Sequence, residues 1–196
     1  MEYKTLDLII EDNLAIIKFT RPAVLNALNS QMRAEILHAV KYSETRARCL
    51  VITGEGRAFC SGQDLGDRSS LSDIDLKKTL RDEYEPMLKA IYECEIPTIA
   101  AVNGVAAGAG ANLALCADVV IATESASFIQ AFSKIGLIPD AGGSYFLPRK
   151  IGLAKSIGAA FFAEKISAKE ASLIGLIWEC VNDELFASQW TERAVY

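Results

Sequence analysis

A chain of 196 residues, 51% hydrophobic and 23% charged, is long enough for one substantial core and reads as a single globular domain over 1–196. Its net charge of −5 argues against general nucleic-acid binding, which needs clustered lysine and arginine. Five cysteines, an odd number without a C-x-x-C pair, indicate neither a disulfide framework nor a zinc site, and a reducing cytoplasm is the expected compartment.

The apolar runs 6–10 and 14–20 predict two strands joined at Asp12-Asn13 as a hairpin. Asn29 or Ser30 can cap a helix whose apolar face is Met32, Ile36, Leu37 and Val40. A short buried strand over 50–53 closes at Gly54-Glu55-Gly56, and a loop is expected over 57–72. Helical spacing returns over 75–94, with Pro86 as a kink or break. A buried strand over 97–102 leads through glycines into a buried helix over 108–116, followed by a strand over 119–122. A helical run covers 144–151, and Ser167-Ala168-Lys169-Glu170 has the form of a capping box. A strand over 176–181 and a helix over 183–194 complete the pattern. Alternating strands and helices make the class α/β. The helical pattern is still running at Tyr196, which predicts a shortened or absent C-terminal helical segment.

Residues 96–117 carry no charge and have the length of a membrane span. Pro97, Gly104, Gly108 and Gly110, with two asparagines, instead predict strand, turn and helix, so no membrane association is expected. The opening residues show no charged-then-apolar signal pattern.

Asp140 stands out as a candidate acid or base. It follows an apolar run and Pro139, which stiffens the backbone, and precedes Gly142-Gly143, which permit a tight turn. Burial there would raise its pKa towards neutrality; a helix N-cap is the structural alternative. Two glycine-containing loops each follow a strand: Ala58-Phe59-Cys60-Ser61-Gly62-Gln63-Asp64-Leu65, and Asn103-Gly104-Val105-Ala106-Ala107-Gly108-Ala109-Gly110-Ala111-Asn112. Backbone N–H groups from two such loops can hold an oxyanion. Other motifs are absent: there is no P-loop and no G-x-S-x-G elbow, and the third glycine of a dinucleotide fingerprint falls on Leu113. The one histidine, His38, lies in the first amphipathic helix and reads as a half-exposed helix residue.

These two loops, together with Arg21-Pro22, Asn26-Ala27-Leu28 and the stretch from Gly136 to Gly143, resemble the enoyl-CoA hydratase/isomerase, or crotonase, superfamily. The resemblance follows the family's motif order over almost the whole chain. It implies a spiral of ββα turns around a coenzyme A thioester site, an acyl-CoA substrate with no separate cofactor, and a homotrimer or homohexamer. It assigns the oxyanion N–H donors to Ser61 and Ala109. It sets Ala27, Gln63, Asp64 and Leu65 against coenzyme A.

The departures refine this reading. Where the family's hydratases carry two glutamates, this chain has Asn112 and Phe132, expected to shape the acyl pocket as a neutral hydrogen-bonding group and an apolar wall. The remaining acid, Asp140, makes the pattern resemble the family's single-aspartate isomerases, above all those acting on 1,2-epoxyphenylacetyl-CoA. The implied activity is isomerisation of that epoxide or of an enoyl-CoA double bond. The alternatives are an enoyl-CoA hydratase and a non-catalytic homologue that binds coenzyme A or RNA.

Overall fold

The computed structural model describes residues 2–66 and 75–195. Residues 67–72 of the expected 57–72 loop lie outside the described residues.

The first two strands, β1 (Leu6–Glu11) and β2 (Leu14–Phe19), form the expected antiparallel hairpin. Asp12 and Asn13 both have positive φ, 48° and 64°. A two-residue turn with both residues left-handed matches the twist of the strands it joins, and Asp and Asn tolerate that conformation.

After the hairpin the chain winds. The strands β3 (Cys49–Gly54), β5 (Thr98–Val102) and β7 (Val119–Thr123) each turn a corner into a three-residue strand, respectively β4 (Ala58–Cys60), β6 (Val105–Ala107) and β8 (Ser127–Ile129). The long strands extend the hairpin into one sheet and the short ones build a second. With β9 (Lys165–Ser167) and β10 (Glu179–Val181), the orders are β1-β2-β3-β5-β7-β10 and β4-β6-β8-β9. Pairing is parallel except between β1 and β2 and between β8 and β9. β3 and β5 are almost wholly buried, as runs such as Cys49-Leu50-Val51-Ile52 require of strands covered on both faces.

Two asparagines brace the corners. Asn26, fully buried, donates from Nδ2 to the carbonyls of Glu55 and Ala58 at 3.0 and 2.8 Å. Asn103 accepts from Gly54 N at 3.0 Å and donates to Gly56 O at 2.9 Å. The Asn26-Ala27-Leu28 motif therefore has a structural cause.

The helices follow the predicted periodicity. Helix α1 (Ser30–Ser43) is capped by Asn29, whose side chain accepts from Met32 N at 2.8 Å. Met32, Ile36 and Val40 are buried, with Leu37 partly so, and His38 is exposed rather than half-exposed. The same helix also buries Arg33 and Glu35, which periodicity assigns to solvent. The predicted 75–94 helix is α2 (Leu76–Thr79), a π-helical turn (Leu80–Tyr84) and α3 (Glu85–Tyr92), with the π turn lying just before Pro86. Proline lacks an N–H and disrupts the regular bonding of the turn before it. Helix α4 (Ala109–Cys116) is buried throughout. Helix α5 (Gly143–Phe162) is interrupted at Gly152, φ 73°, where the predicted run 144–151 ends. Helix α6 (Ala168–Leu173) has Ser167 as its cap, and α7 (Phe186–Ala194) ends the fold. Among the described residues no helix is long and apolar enough to cross a membrane; the uncharged stretch 96–117 is β5, β6 and α4.

Candidate active site

The two glycine loops meet where β4 and β6 run side by side. A Cβ added to Gly62 would lie 2.8 Å from Ala107 O and 3.3 Å from Ala109 N; one on Gly110 would lie 2.2 Å from Cys60 O. Glycine at both positions is what lets the backbones come this close.

In the first loop the donor differs from expectation. Ser61 N–H donates to Leu25 O at 3.0 Å, so it is already engaged and cannot hold a substrate oxygen. Gly62 then adopts φ 95°, which inverts the direction of the next peptide. Leu28 N–H donates to Gly62 O at 2.7 Å and Asp64 N–H to Leu28 O at 3.1 Å. Those bonds hold one edge of the segment and leave Gln63 N–H on the other, with no acceptor among the described residues. Ala109, the first residue of α4, likewise presents an N–H with no acceptor among the described residues, beside Gly62. The pair of free donors is thus Gln63 and Ala109. The motif alone gave no sign of this two-residue shift, because the signal is the left-handed Gly62.

The Gln63 side chain is anchored as well. Its Oε1 accepts from Tyr84 Oη at 2.7 Å and Arg33 Nη1 at 3.2 Å, and its Nε2 donates to Asp64 O at 3.1 Å. Arg33, 1% exposed, pairs with Glu83 at 2.6 Å, donates to Leu28 O at 2.6 Å and lies over the Tyr84 ring. The Asp64 carboxylate pairs with Arg21 at 2.8 Å, and Arg21 also donates to the carbonyl of Ala27, a buried residue. Leu65 is exposed. Arg21, Arg33, Glu83 and Tyr84 were not among the site residues expected from the sequence.

Asp140 lies on a different device. Ala141 and Gly142 have φ 46° and 82°, and Gly143 N–H donates to Asp140 O at 2.8 Å. This is a tight turn with both central residues left-handed, which costs about 1–2 kcal/mol at Ala141. Helix α5 is capped by Gly142 without a side-chain bond, so Asp140 is not its N-cap. The turn is held from below. Asn112 Nδ2 donates to Asp140 O at 2.8 Å, and Gln130 Nε2 donates to Asn112 Oδ1 at 2.9 Å. A Cβ on Gly143 would fall 2.5 Å from the Asn112 amide, so glycine leaves room for that side chain.

One expectation is corrected here. Asn112 is fully buried and its amide supports the Asp140 backbone, so it does not face an acyl group. Phe132 is also buried, with its ring tip toward Gly108, the residue before the Ala109 donor.

That cavity, about 710 Å³, lies between the π turn with α3 and the start of α5. Leu80, Tyr84, Leu88, Tyr92, Tyr145 and Phe146 give it a largely apolar and aromatic wall, and Asp140 lies in it. Glu85 and Glu93 also border it but are exposed, leaving Asp140 as its half-buried carboxylate among the described residues. Burial pushes the Asp140 carboxyl up to about 6. The run before it is not what buries it, since Ile135 and Ile138 face solvent. Tyr84 lines this cavity and donates to Gln63, so one side chain joins the carboxylate's cavity to the free backbone donors. Among the described residues no cluster of His, Cys, Asp and Glu could hold a metal ion.

Known proteins match this geometry over nearly the full chain. The family model for enoyl-CoA hydratase/isomerase matches residues 9–195. A probable enoyl-CoA hydratase of Rhodobacter capsulatus is 56% identical over 196 residues, covering 100% of this chain and 76% of that protein. The 1,2-epoxyphenylacetyl-CoA isomerase of Escherichia coli is 44% identical, covering 91% of this chain and 70% of its own length. Among solved structures, an enoyl-CoA hydratase subunit I from Geobacillus kaustophilus superposes with a TM-score of 0.91 at 33% identity, over 99% of this chain and 75% of that one. The wound two-sheet core, the paired glycine loops and these matches together place the chain in the enoyl-CoA hydratase/isomerase family.

Proposed function

We propose that the chain is an acyl-CoA isomerase that uses Asp140 as its single proton-transferring group. The observation that carries this reading is the state of the carboxylates around the cavity. Asp140 is half-buried with its pKa raised to about 6, while Asn112 and Phe132 are withdrawn into the core. A carboxyl poised near 6 can take a proton near neutral pH and give it back.

In the proposed cycle the thioester oxygen lies against the N–H groups of Gln63 and Ala109. Asp140 removes a proton from the acyl chain, the negative charge that develops on the oxygen is held by the two N–H donors, and Asp140 returns the proton at another carbon. Coenzyme A is part of the substrate and no further cofactor enters. The aromatic wall of Tyr84, Tyr92, Tyr145 and Phe146 favours an aromatic-derived acyl group, which supports 1,2-epoxyphenylacetyl-CoA as substrate, with double-bond migration in enoyl-CoA using the same groups. The 44% identity to an isomerase of that epoxide supports the same reading. A cytoplasmic homotrimer or homohexamer is proposed with it.

Water addition to enoyl-CoA is the second reading, favoured by the name of the Rhodobacter relative. A paired assay separates the two. Wild type and Asp140→Asn are given 3-enoyl-CoA and 2-enoyl-CoA, and double-bond position and water addition are followed. The isomerase reading expects isomerisation without hydration, reduced about 10²–10⁴-fold in the variant, with coenzyme A binding retained. Hydration that survives the substitution would overturn the role given to Asp140.

A further inference from the structure

The Gln63 side chain lies within the fold, away from where a thioester oxygen would meet its backbone N–H, yet its carboxamide has partners on both ends. Its Oε1 takes two donors from two different helical segments, Tyr84 from the π turn and Arg33 from α1, and its Nε2 returns to the backbone at Asp64 O. The backbone of the same residue is fixed only on one edge, through Leu28. The Gly62–Gln63 peptide is held at its carbonyl by Leu28 in an isolated parallel bridge, and the side chain adds a second anchor at the Gln63 end of the same N–H.

Tyr84 is itself held firmly. It is 3% exposed, its ring lies 4.8 Å from the Arg33 guanidinium carbon, and Arg33 is tied to Glu83 on the same π turn. One face of Tyr84 contributes to the cavity wall with Leu80 and Leu88. A hydrogen bond of 2.7 Å therefore runs from the wall that an acyl group would touch to the residue that carries a free backbone donor.

We infer that Gln63 and Tyr84 are positioning residues for the proposed reaction: the Tyr84–Gln63 hydrogen bond, backed by Arg33, sets the orientation of the Gln63 N–H that holds the thioester oxygen. Contact of the acyl group with Tyr84 is thereby coupled to alignment of the donor. The inference rests on the isomerase reading of the site. Its action is on the transition state, because a small error in donor placement is felt most by the oxygen that gains charge.

The test uses Tyr84→Phe, Gln63→Leu, their double variant, and Gln63→Glu, which keeps an acceptor for Tyr84 and Arg33. Phenylacetyl-CoA, a saturated thioester, serves as the bound probe, and the infrared stretch of its carbonyl reports polarisation by the donors. Turnover is measured with 3-enoyl-CoA, and circular dichroism checks that each variant is folded. The expected result is a carbonyl shift to lower frequency on wild type that is diminished in Tyr84→Phe and Gln63→Leu. With it, kcat falls about 10–100-fold while KM changes little. The double variant should be no worse than the more damaged single one, and Gln63→Glu should recover most of the loss. A wild-type shift that persists in folded Tyr84→Phe and Gln63→Leu, with kcat unchanged, overturns the inference and leaves the isomerase reading standing. No shift on wild type overturns the oxyanion site itself, and the inference with it. Additive losses in the double variant overturn the shared bond as the cause.

Discussion

The two halves of the candidate site are built in opposite ways. The loop that carries Gln63 is surrounded by ion pairs: Arg33 with Glu83, and Arg21 with Asp64. Among the described residues the turn that carries Asp140 has none; it is supported by neutral amides, Asn112 and Gln130, and by glycine. Fixed donors need a rigid backbone, and charges buried in pairs hold it. A carboxylate that must pick up and release a proton near neutral pH needs the reverse, since a nearby cation would keep it ionised. On the proposed reading, charge holds position on one side and is kept away from the acid on the other.

The largest effect on stability is expected on the ion-paired side. Arg33→Ala removes the ion pair to Glu83 and the donor to Leu28 O, Gln63 Oε1 and Ser30 Oγ, so the folded state should lose about 3 kcal/mol, measured by urea unfolding. A loss below about 1 kcal/mol would mean that these charges do not hold the loop.

The acid side should respond in the opposite sense. The folded-state pKa of Asp140 is raised, so the fold binds its proton more tightly than the unfolded chain does. Between about pH 4 and 6 this group's contribution falls as pH rises, and above 6 the buried charge is a standing penalty of at most about 3 kcal/mol. Asp140→Asn should therefore melt higher than wild type at pH 7.5, with the gap closing toward pH 4. Equal melting temperatures across that range would show that burial does not strain the carboxylate. The same titration predicts that isomerisation falls as pH drops below about 6, where the base is protonated.

The smallest of these effects is expected beneath the turn. Asn112→Ala removes the donor to Asp140 O and the acceptor for Gln130, at a cost of about 1–2 kcal/mol, and should lower kcat through a displaced Asp140. Unchanged kcat in a folded variant would break the link between Asn112 and the acid.

Much of the frame was legible because it is written in side chains. The apolar runs of β2, β3, β5 and β7, the Asp12-Asn13 turn and the Asn29 and Ser167 caps each have a local cause. The second sheet was not legible, since its strands are three residues long and too short to show alternation. Arg33 and Glu35 read as solvent-facing, because only the fold brings Glu83 and the backbone of Lys4 and Thr5 to meet them. Asp140 was visible from its neighbours in sequence. The Gln63 donor was hidden, because it is a backbone N–H whose direction depends on Gly62 being left-handed.

The winding order has a consequence for how activity arises as the chain folds. Gln63, Ala109 and Asp140 sit on successive turns of the spiral, after β4, at the start of α4 and after β8. A chain wound only through α4 already presents both backbone donors, yet it lacks the acid and the α5 side of the cavity. On the proposed reading, proton transfer would switch on only when the third turn docks, so the appearance of turnover during refolding would time the docking of that turn.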